Sequence, residues 1–181
     1  MKTTYQIDPA HSGVHFSVRH LMVTNVRGTF SGVKGTVVYD PANPSTTQVE
    51  ATVDANTIST GDPKRDAHLK GADFLDAEKY PEIIFKGKRT EKTSDTEFRV
   101  TGDLTIRDVT REAALTVEEV SPEAKDPWGG TRMGASAKTK IDRQKFGISW
   151  NSPLEGGGLV VGDEVKLEFE LQFIKVQTAA A

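Results

Sequence analysis

The sequence predicts an all-β fold, an eight-stranded antiparallel barrel with one short helical insertion around residues 62–79. Three observations predict it: apolar and polar residues alternate in about eight stretches, turn residues separate these stretches, and a single segment breaks the alternation. With 181 residues and no cysteine, the chain is long enough to form a core without disulfides. We therefore expect one domain over residues 1–181.

The strands are predicted where apolar side chains recur at every second position. The clearest is EVKLEFELQF (164–173), in which Val165 to Phe173 alternate with Glu164 to Gln172, as in a strand with one face in water. The same period of two predicts seven more strands, at 14–18, 29–39, 48–55, 83–89, 98–106, 113–120 and 132–141.

The helical insertion lies in GDPKRDAHLKGADFLDAEKYP (61–81). Asp62 can cap a helix, Pro63 suits its first position, and Gly71 suits its end. A second short turn is expected to begin at Asp73 and to end before Pro81. The other connections, among them 121–130 and the glycine-rich 154–164, are expected to be loops, and Thr178–Ala181 a frayed tail.

Small residues at inward positions predict room inside the barrel. An eight-stranded barrel with small interior residues leaves space for a ligand, although each glycine could instead mark a bulge that bends the sheet. The candidates are Gly28, Gly32, Gly35, Ala51, Ala55, Gly102, Ala113, Gly134, Ala135 and Ala137.

Three of the four histidines fall in DPAHSGVHFSVRH (8–20). His11 and His15 are four residues apart, about 13 Å along a strand, which is too far to share a metal ion. We expect His11 in a tight turn that leads into the first strand, His15 facing solvent, and His20 on the inward face. For His68, on the predicted helix, we expect a solvated or helix-capping role.

Composition argues against several classes of partner and chemistry. The net charge is −3 and no run of Lys or Arg exceeds two residues, so nucleic acid is not an expected partner. The glycine cluster at 154–164 lacks the Lys-Ser/Thr ending of a phosphate-binding loop. We expect no cofactor, no metal and no catalytic residue. Since no apolar leader or membrane-spanning run is present, we also expect a cytoplasmic protein without stable membrane insertion.

Several stretches together resemble the YceI-like family of polyisoprenoid-binding proteins. They are IDPAHSGVHFSVRHL (7–21), VRGTFSGVKGTV (26–37), RDAHLKGADFLDAEKYPEIIFK (65–86), GDLTIRDVTREAAL (102–115), FGISWN (146–151) and VGDEVKLEFEL (161–171). Tyr5 stands where many members have Trp, and Asp108 where the family's IRGVT motif has Gly.

The resemblance implies a lipocalin-like barrel that binds a polyisoprenoid, an isoprenoid quinone or a similar lipid as a carrier or storage protein, often as a homodimer. Inward positions, chosen by alternation, supply the candidate ligand contacts. These are Val14, Phe16, Val18, His20, Phe30, Val53, Phe85, Leu104, Ile106, Phe146, Trp150, Leu167 and Phe169.

Two alternatives stay open at this point. One is an enzyme that acts on a hydrophobic small molecule with His20 or His11 as acid or base. The other is an interaction module whose barrel has no interior volume.

Overall fold

The structure is a computed structural model that describes residues 1–177, so the tail predicted at Thr178–Ala181 lies outside the described residues. Eleven strands of the described chain form a single sheet, with one α-helix, α1 (Pro63–Lys70). The strands are β1 (Thr3–Ile7), β2 (Gly13–His20), β3 (Thr24–Phe30), β4 (Val33–Tyr39), β5 (Gln48–Asp54), β6 (Glu82–Lys92), β7 (Phe98–Ile106), β8 (Val109–Glu118), β9 (Ala124–Lys125), β10 (Thr131–Asp142) and β11 (Val161–Lys175).

Eight of these strands close into a ring in the order β11-β1-β4-β5-β6-β7-β8-β10, and β10 returns to β11. All the pairings are antiparallel. The β10–β11 seam is the longest, with continuous register from Arg132↔Ile174 to Asp142↔Glu164. The predicted eight-stranded antiparallel barrel is therefore confirmed.

The hairpin of β2 and β3 extends the wall at one end, where β2 pairs with the first part of β11. Thus β1 and β2 act as one strand interrupted by a 3-10 turn at Pro9–His11, and β3 and β4 as one strand that bends at Ser31 and Gly32. The prediction of one unbroken strand over 29–39 was wrong at this bend. There the Thr57 hydroxyl accepts hydrogen bonds from the N–H groups of Ser31 and Gly32, both at 3.2 Å, in place of a ladder partner.

The turn at Pro9–His11 is fixed by Asp8, which is buried. Its carboxylate accepts from Ala10 N at 3.0 Å and from Arg132 Nη1, and lies 2.9 Å from His11 Nδ1. Arg132 also donates to Asp126 at 2.6 Å, so this network ties the first strand to β10 and to the loop before it. The hydrogen bonds from His11 and Arg132 lower the pKa of Asp8 to about 2.

Helix α1 begins and ends where the sequence predicts. The Asp62 carboxylate accepts from the N–H groups of Lys64 and Arg65 at 3.0 and 3.2 Å, Pro63 is the first helical residue, and Gly71 follows the last. The second short turn is also present, as consecutive hydrogen-bonded turns within residues 71–80 that end before Pro81. The helix lies in the β5–β6 connection and crosses one end of the barrel.

None of the five predicted inward glycines lines the cavity, so that part of the small-residue prediction was wrong. A Cβ on Gly102 would lie 2.2 Å from Lys86 O, at the bulge where the β6–β7 register shifts between Gly87 and Arg89. A Cβ on Gly28 would lie 2.3 Å from the Phe16 ring. Gly102 instead supports the alternative interpretation, in which a glycine marks a bulge that bends the sheet.

We expect Asp8→Asn to lower the free energy of unfolding at pH 7 by about 1–3 kcal/mol. Because the folded-state pKa lies below the ordinary value, the ionised carboxylate stabilises the fold above about pH 4, and this contribution disappears as the pH falls through about 2. Urea unfolding of both proteins at pH 7 and near pH 2 measures the difference. An equal deficit at the two pH values would contradict the electrostatic origin.

Candidate functional site

A cavity of about 440 Å³ occupies the interior of the barrel. Its wall consists mainly of apolar side chains from β1 to β8, β10 and β11, and it reaches from Tyr5 and Tyr39 at one end to α1 at the other. Four inward alanines on the strands supply part of the space: Ala51, Ala113, Ala135 and Ala137. The prediction that small inward residues leave room is therefore correct for these alanines.

The end of the barrel that carries α1 is the mouth of the cavity. The connections β2–β3, β5–β6, β7–β8 and β10–β11 all lie there. Among the described lining residues only Arg19 and His68 are exposed, and both belong to this end. The cavity therefore reaches solvent beside α1 and the β2–β3 hairpin.

Three rings form one side of the mouth. The His68 ring stands edge-on to Phe74 and to Trp150, with centroid distances of 5.0 and 4.9 Å, and Phe74 and Trp150 are 5.4 Å apart. Asp73 fixes the imidazole, since its carboxylate lies 2.8 Å from His68 Nε2. His68 is exposed, as expected, but its ring also packs against Phe74 and Trp150, a contact that the sequence did not predict.

The charged and histidine side chains of the cavity wall are all basic in the described chain. They are Arg19, His20, Arg65, His68 and Arg143, and neither Asp nor Glu lines the cavity within residues 1–177. Arg65 is partly engaged, since its Nε donates to the Thr60 hydroxyl at 2.8 Å. The wall thus presents basic donors at the mouth and is mainly apolar elsewhere.

Known proteins share this architecture. The family model of the YceI-like domain matches residues 5–173. The chain belongs to the YceI-like family.

Among its relatives, a UPF0312 protein of Staphylococcus aureus (strain bovine RF122 / ET3-1) is 37% identical over 172 residues, which cover 94% of this chain and 97% of that protein. Two solved structures share the fold. BcnA of Burkholderia cenocepacia has a TM-score of 0.79 at 23% identity, with 92% of this chain and 98% of that chain covered. A polyisoprenoid binding domain from Saccharophagus degradans has a TM-score of 0.66 at 13% identity, with 96% and 99% covered.

In this YceI-like barrel, twelve of the thirteen residues predicted as ligand contacts line the cavity, and their contact with a ligand stays a prediction. The exception is Phe146, which is buried in the 3-10 turn Arg143–Phe146 and packs outside the cavity wall. Strand parity does not apply to a turn, which is why its position was misjudged. The twelve are Val14, Phe16, Val18, His20, Phe30, Val53, Phe85, Leu104, Ile106, Trp150, Leu167 and Phe169.

Other lining residues were missed by the sequence reasoning. Tyr5 and Ile7 lie on β1, which was not predicted, although the alternation of Thr4, Gln6 and Asp8 with these two residues would have indicated a strand. Leu69, Phe74 and Leu75 come from the helical insertion, where a period of two gives no signal. Their apolar side chains, within an otherwise charged segment, were the feature of the sequence that indicated inward positions.

The histidines occupy four different environments. His20 lines the cavity, as its parity predicts, whereas His15 faces outward with its Nε2 3.7 Å from Glu170. His11 belongs to the turn at Asp8, as predicted, and His68 to the mouth. Within residues 1–177 no three His, Asp or Glu side chains are grouped closely enough to hold a metal ion.

Arg143 holds the β10–β11 connection, which frames the mouth beside the β2–β3 hairpin. This buried guanidinium donates to four carbonyl oxygens, those of Ile148, Trp150, Val161 and Gly162, at distances of 2.7 to 3.2 Å. Burial lowers the pKa of Arg143, while Asp163 and Asp142 oppose the shift. Arg143 therefore fixes the backbone of Trp150, whose ring packs against His68 and Phe74.

The end of the cavity away from the mouth is bounded by Tyr5. Its hydroxyl donates to Glu123, which also accepts from Lys175 Nζ at 2.9 and 3.1 Å. Burial, followed by the hydrogen bond to Glu123, raises the pKa of Tyr5 to about 12, so the phenol stays protonated. A neutral aromatic face is thus turned toward the cavity there.

No helix in residues 1–177 is long and apolar enough to cross a membrane.

We expect Arg143→Lys to destabilise the protein by about 3 kcal/mol and to loosen residues 147–160. A lysine ammonium cannot reach four carbonyls with the geometry of a guanidinium, so buried acceptors lose their partners. Urea unfolding measures the stability, and limited proteolysis locates the new cleavage sites. Lys145→Arg, at an exposed position on the same turn, is the control. Unchanged protection of residues 147–160 in the Arg143 variant would contradict this role.

Proposed function

We propose that the protein binds a long-chain amphiphile in the barrel, such as a polyisoprenoid, an isoprenoid quinone or a similar lipid, and serves as a carrier or storage protein. The observation that carries the proposal is the 440 Å³ interior with a mainly apolar wall. Each buried methylene contributes about 0.8 kcal/mol, so a long hydrocarbon tail gains affinity there without hydrogen bonds. A mainly apolar wall selects for a tail and discriminates little between headgroups.

The proposed contacts are the twelve predicted residues that line the cavity. The tail lies among residues such as Phe16, Phe85, Leu104 and Phe169, while the headgroup stays at the mouth near His20. Membership of the YceI-like family and the fold shared with the polyisoprenoid binding domain of Saccharophagus degradans support this assignment.

A binding role is favoured over catalysis by the surroundings of the histidines. His11 pairs with Asp8 and is not a lining residue, and the His20 side chain has no hydrogen-bond partner within residues 1–177 that would orient it as an acid or base. We therefore propose no catalytic residue. A cytoplasmic location, a homodimer and the lack of a nucleic-acid partner remain proposals, which cell fractionation, analytical ultracentrifugation and a filter-binding assay would test.

Extraction of the purified protein with organic solvent, followed by mass spectrometry, tests the function. We expect a long-chain amphiphile in stoichiometric amount. Repeated preparations without one, from a protein that also fails to take up added isoprenoids, would overturn the proposal.

Ala135→Phe should abolish most of the amphiphile binding while leaving the barrel folded. Ala135 lines the cavity between β8 and β11, so a phenyl ring there occupies the space of the tail. Lys140→Phe on the same strand points to solvent and is the control. Trp150 lines the cavity whereas Trp128 is exposed, so a Trp128→Phe background leaves Trp150 as the fluorescent reporter in a titration with a solubilised isoprenoid quinone. Equal affinity of the two Phe variants would contradict binding inside the barrel.

A further inference from the structure

An exposed apolar cluster lies beside the mouth of the cavity. The tip of the β2–β3 hairpin consists of Leu21, Met22 and Val23, which are 42, 62 and 74% exposed, and Leu159 of the β10–β11 connection is 46% exposed. The two segments are joined, because Leu21 N donates to Val160 O at 2.8 Å. Since Val160 and His20 line the cavity, the apolar tip is continuous with its rim.

The backbone of this tip is unusual for the side chains it carries. Leu21 and Met22 have φ angles of 51° and 60°, in the left-handed region that Gly and Asn normally occupy in such turns. The backbone is therefore strained at two consecutive residues, and the large apolar side chains of these residues are nevertheless exposed to solvent. The Met22 thioether packs against Gly158, but Met22 and Val23 remain 62 and 74% exposed, so packing within the monomer accounts for little of this conformation, and strained positions of this kind are often functional.

Positive charge lies behind the apolar tip. No Asp or Glu occurs between Asp8 and Asp40, and Arg19 and Arg27 are exposed without an ion pair in the part of the chain that the structure describes. An apolar edge with basic residues behind it is the arrangement of proteins that lie on membrane surfaces. Glu155 in the neighbouring connection, and Glu168 and Glu170, which line one outer groove together with Arg27, offset much of this charge, so the apolar contact is the larger contribution.

We propose that this surface, defined by Leu21, Met22, Val23 and Leu159, docks onto the surface of a lipid bilayer and brings the mouth of the cavity to the membrane. The inference rests on the proposed function, since it supplies a route by which an amphiphile enters the barrel without crossing water. A second copy of the chain fits less well. Four such side chains present at most about 500 Å², below the roughly 800 Å² per partner of a stable interface.

The test is flotation of the purified protein with vesicles of phosphatidylcholine, alone or mixed with phosphatidylglycerol. We expect the protein to float with both, and the double variant Met22→Ser/Val23→Ser to lower the partition coefficient about tenfold. Trp128→Ser is the matched control, because Trp128 is 84% exposed at the opposite end of the barrel and should not matter. Arg27→Gln should remove only the additional binding to phosphatidylglycerol.

Two results would overturn the docking surface: vesicle binding unchanged in the double variant, or lowered equally by Trp128→Ser. A dimer that dissociates in the double variant, without flotation of the original protein, would assign the surface to a second copy instead. Solvent extraction separates this inference from the function on which it rests. If the protein carries an amphiphile but does not float, only docking fails, and if it floats but never carries one, the proposed function fails.

Discussion

The closure of the sheet through β11 is the constraint on which the rest of the structure depends. This strand pairs with β10 along one edge and with β1 and β2 in succession along the other. Because its side chains alternate strictly, a register shift of one residue would turn Leu167, Phe169 and Leu171 to solvent and Glu168 and Glu170 inward. The register of β11 therefore decides both that the barrel closes and that its interior is apolar.

A large interior cavity reduces the packing of side chains in the core but leaves room for a ligand. Cavities in protein cores cost roughly 24 cal/mol per Å³, so 440 Å³ kept dry and empty would cost on the order of 10 kcal/mol, comparable to the net stability of a domain. The hydrogen-bonded ring of strands and buried aromatic residues such as Phe16, Phe30 and Phe85 offset part of this cost. An occupant of the cavity would accordingly stabilise the fold as well as be held by it.

Much of the fold was predictable because period-two alternation and helix capping are local signals. Phe98 to Ile106 form a strand with the predicted bounds, and Asp62, Pro63 and Gly71 mark the helix correctly. The features that the sequence did not predict depend on contacts between residues that are far apart in the chain. The ladder broken at Gly32 depends on the Thr57 hydroxyl, the role of Gly102 depends on the backbone of Lys86, and the position of His68 depends on Trp150. Parity placed twelve of the thirteen predicted contacts on the cavity wall, but it could not identify residues contributed by the helix or exclude Phe146.

The β2–β3 hairpin has a further consequence for the protein in concentrated solution. Within residues 1–177, β3 has a partner on only one side apart from the bridge between Thr29 and Ser59, so its outer edge offers free N–H and C=O groups to another chain. Asn25, Arg27 and Gly28 occupy this edge, residue types that disfavour the addition of a strand because of their charge or low β-propensity. The hairpin that extends the barrel wall thus carries its own protection against edge-to-edge aggregation.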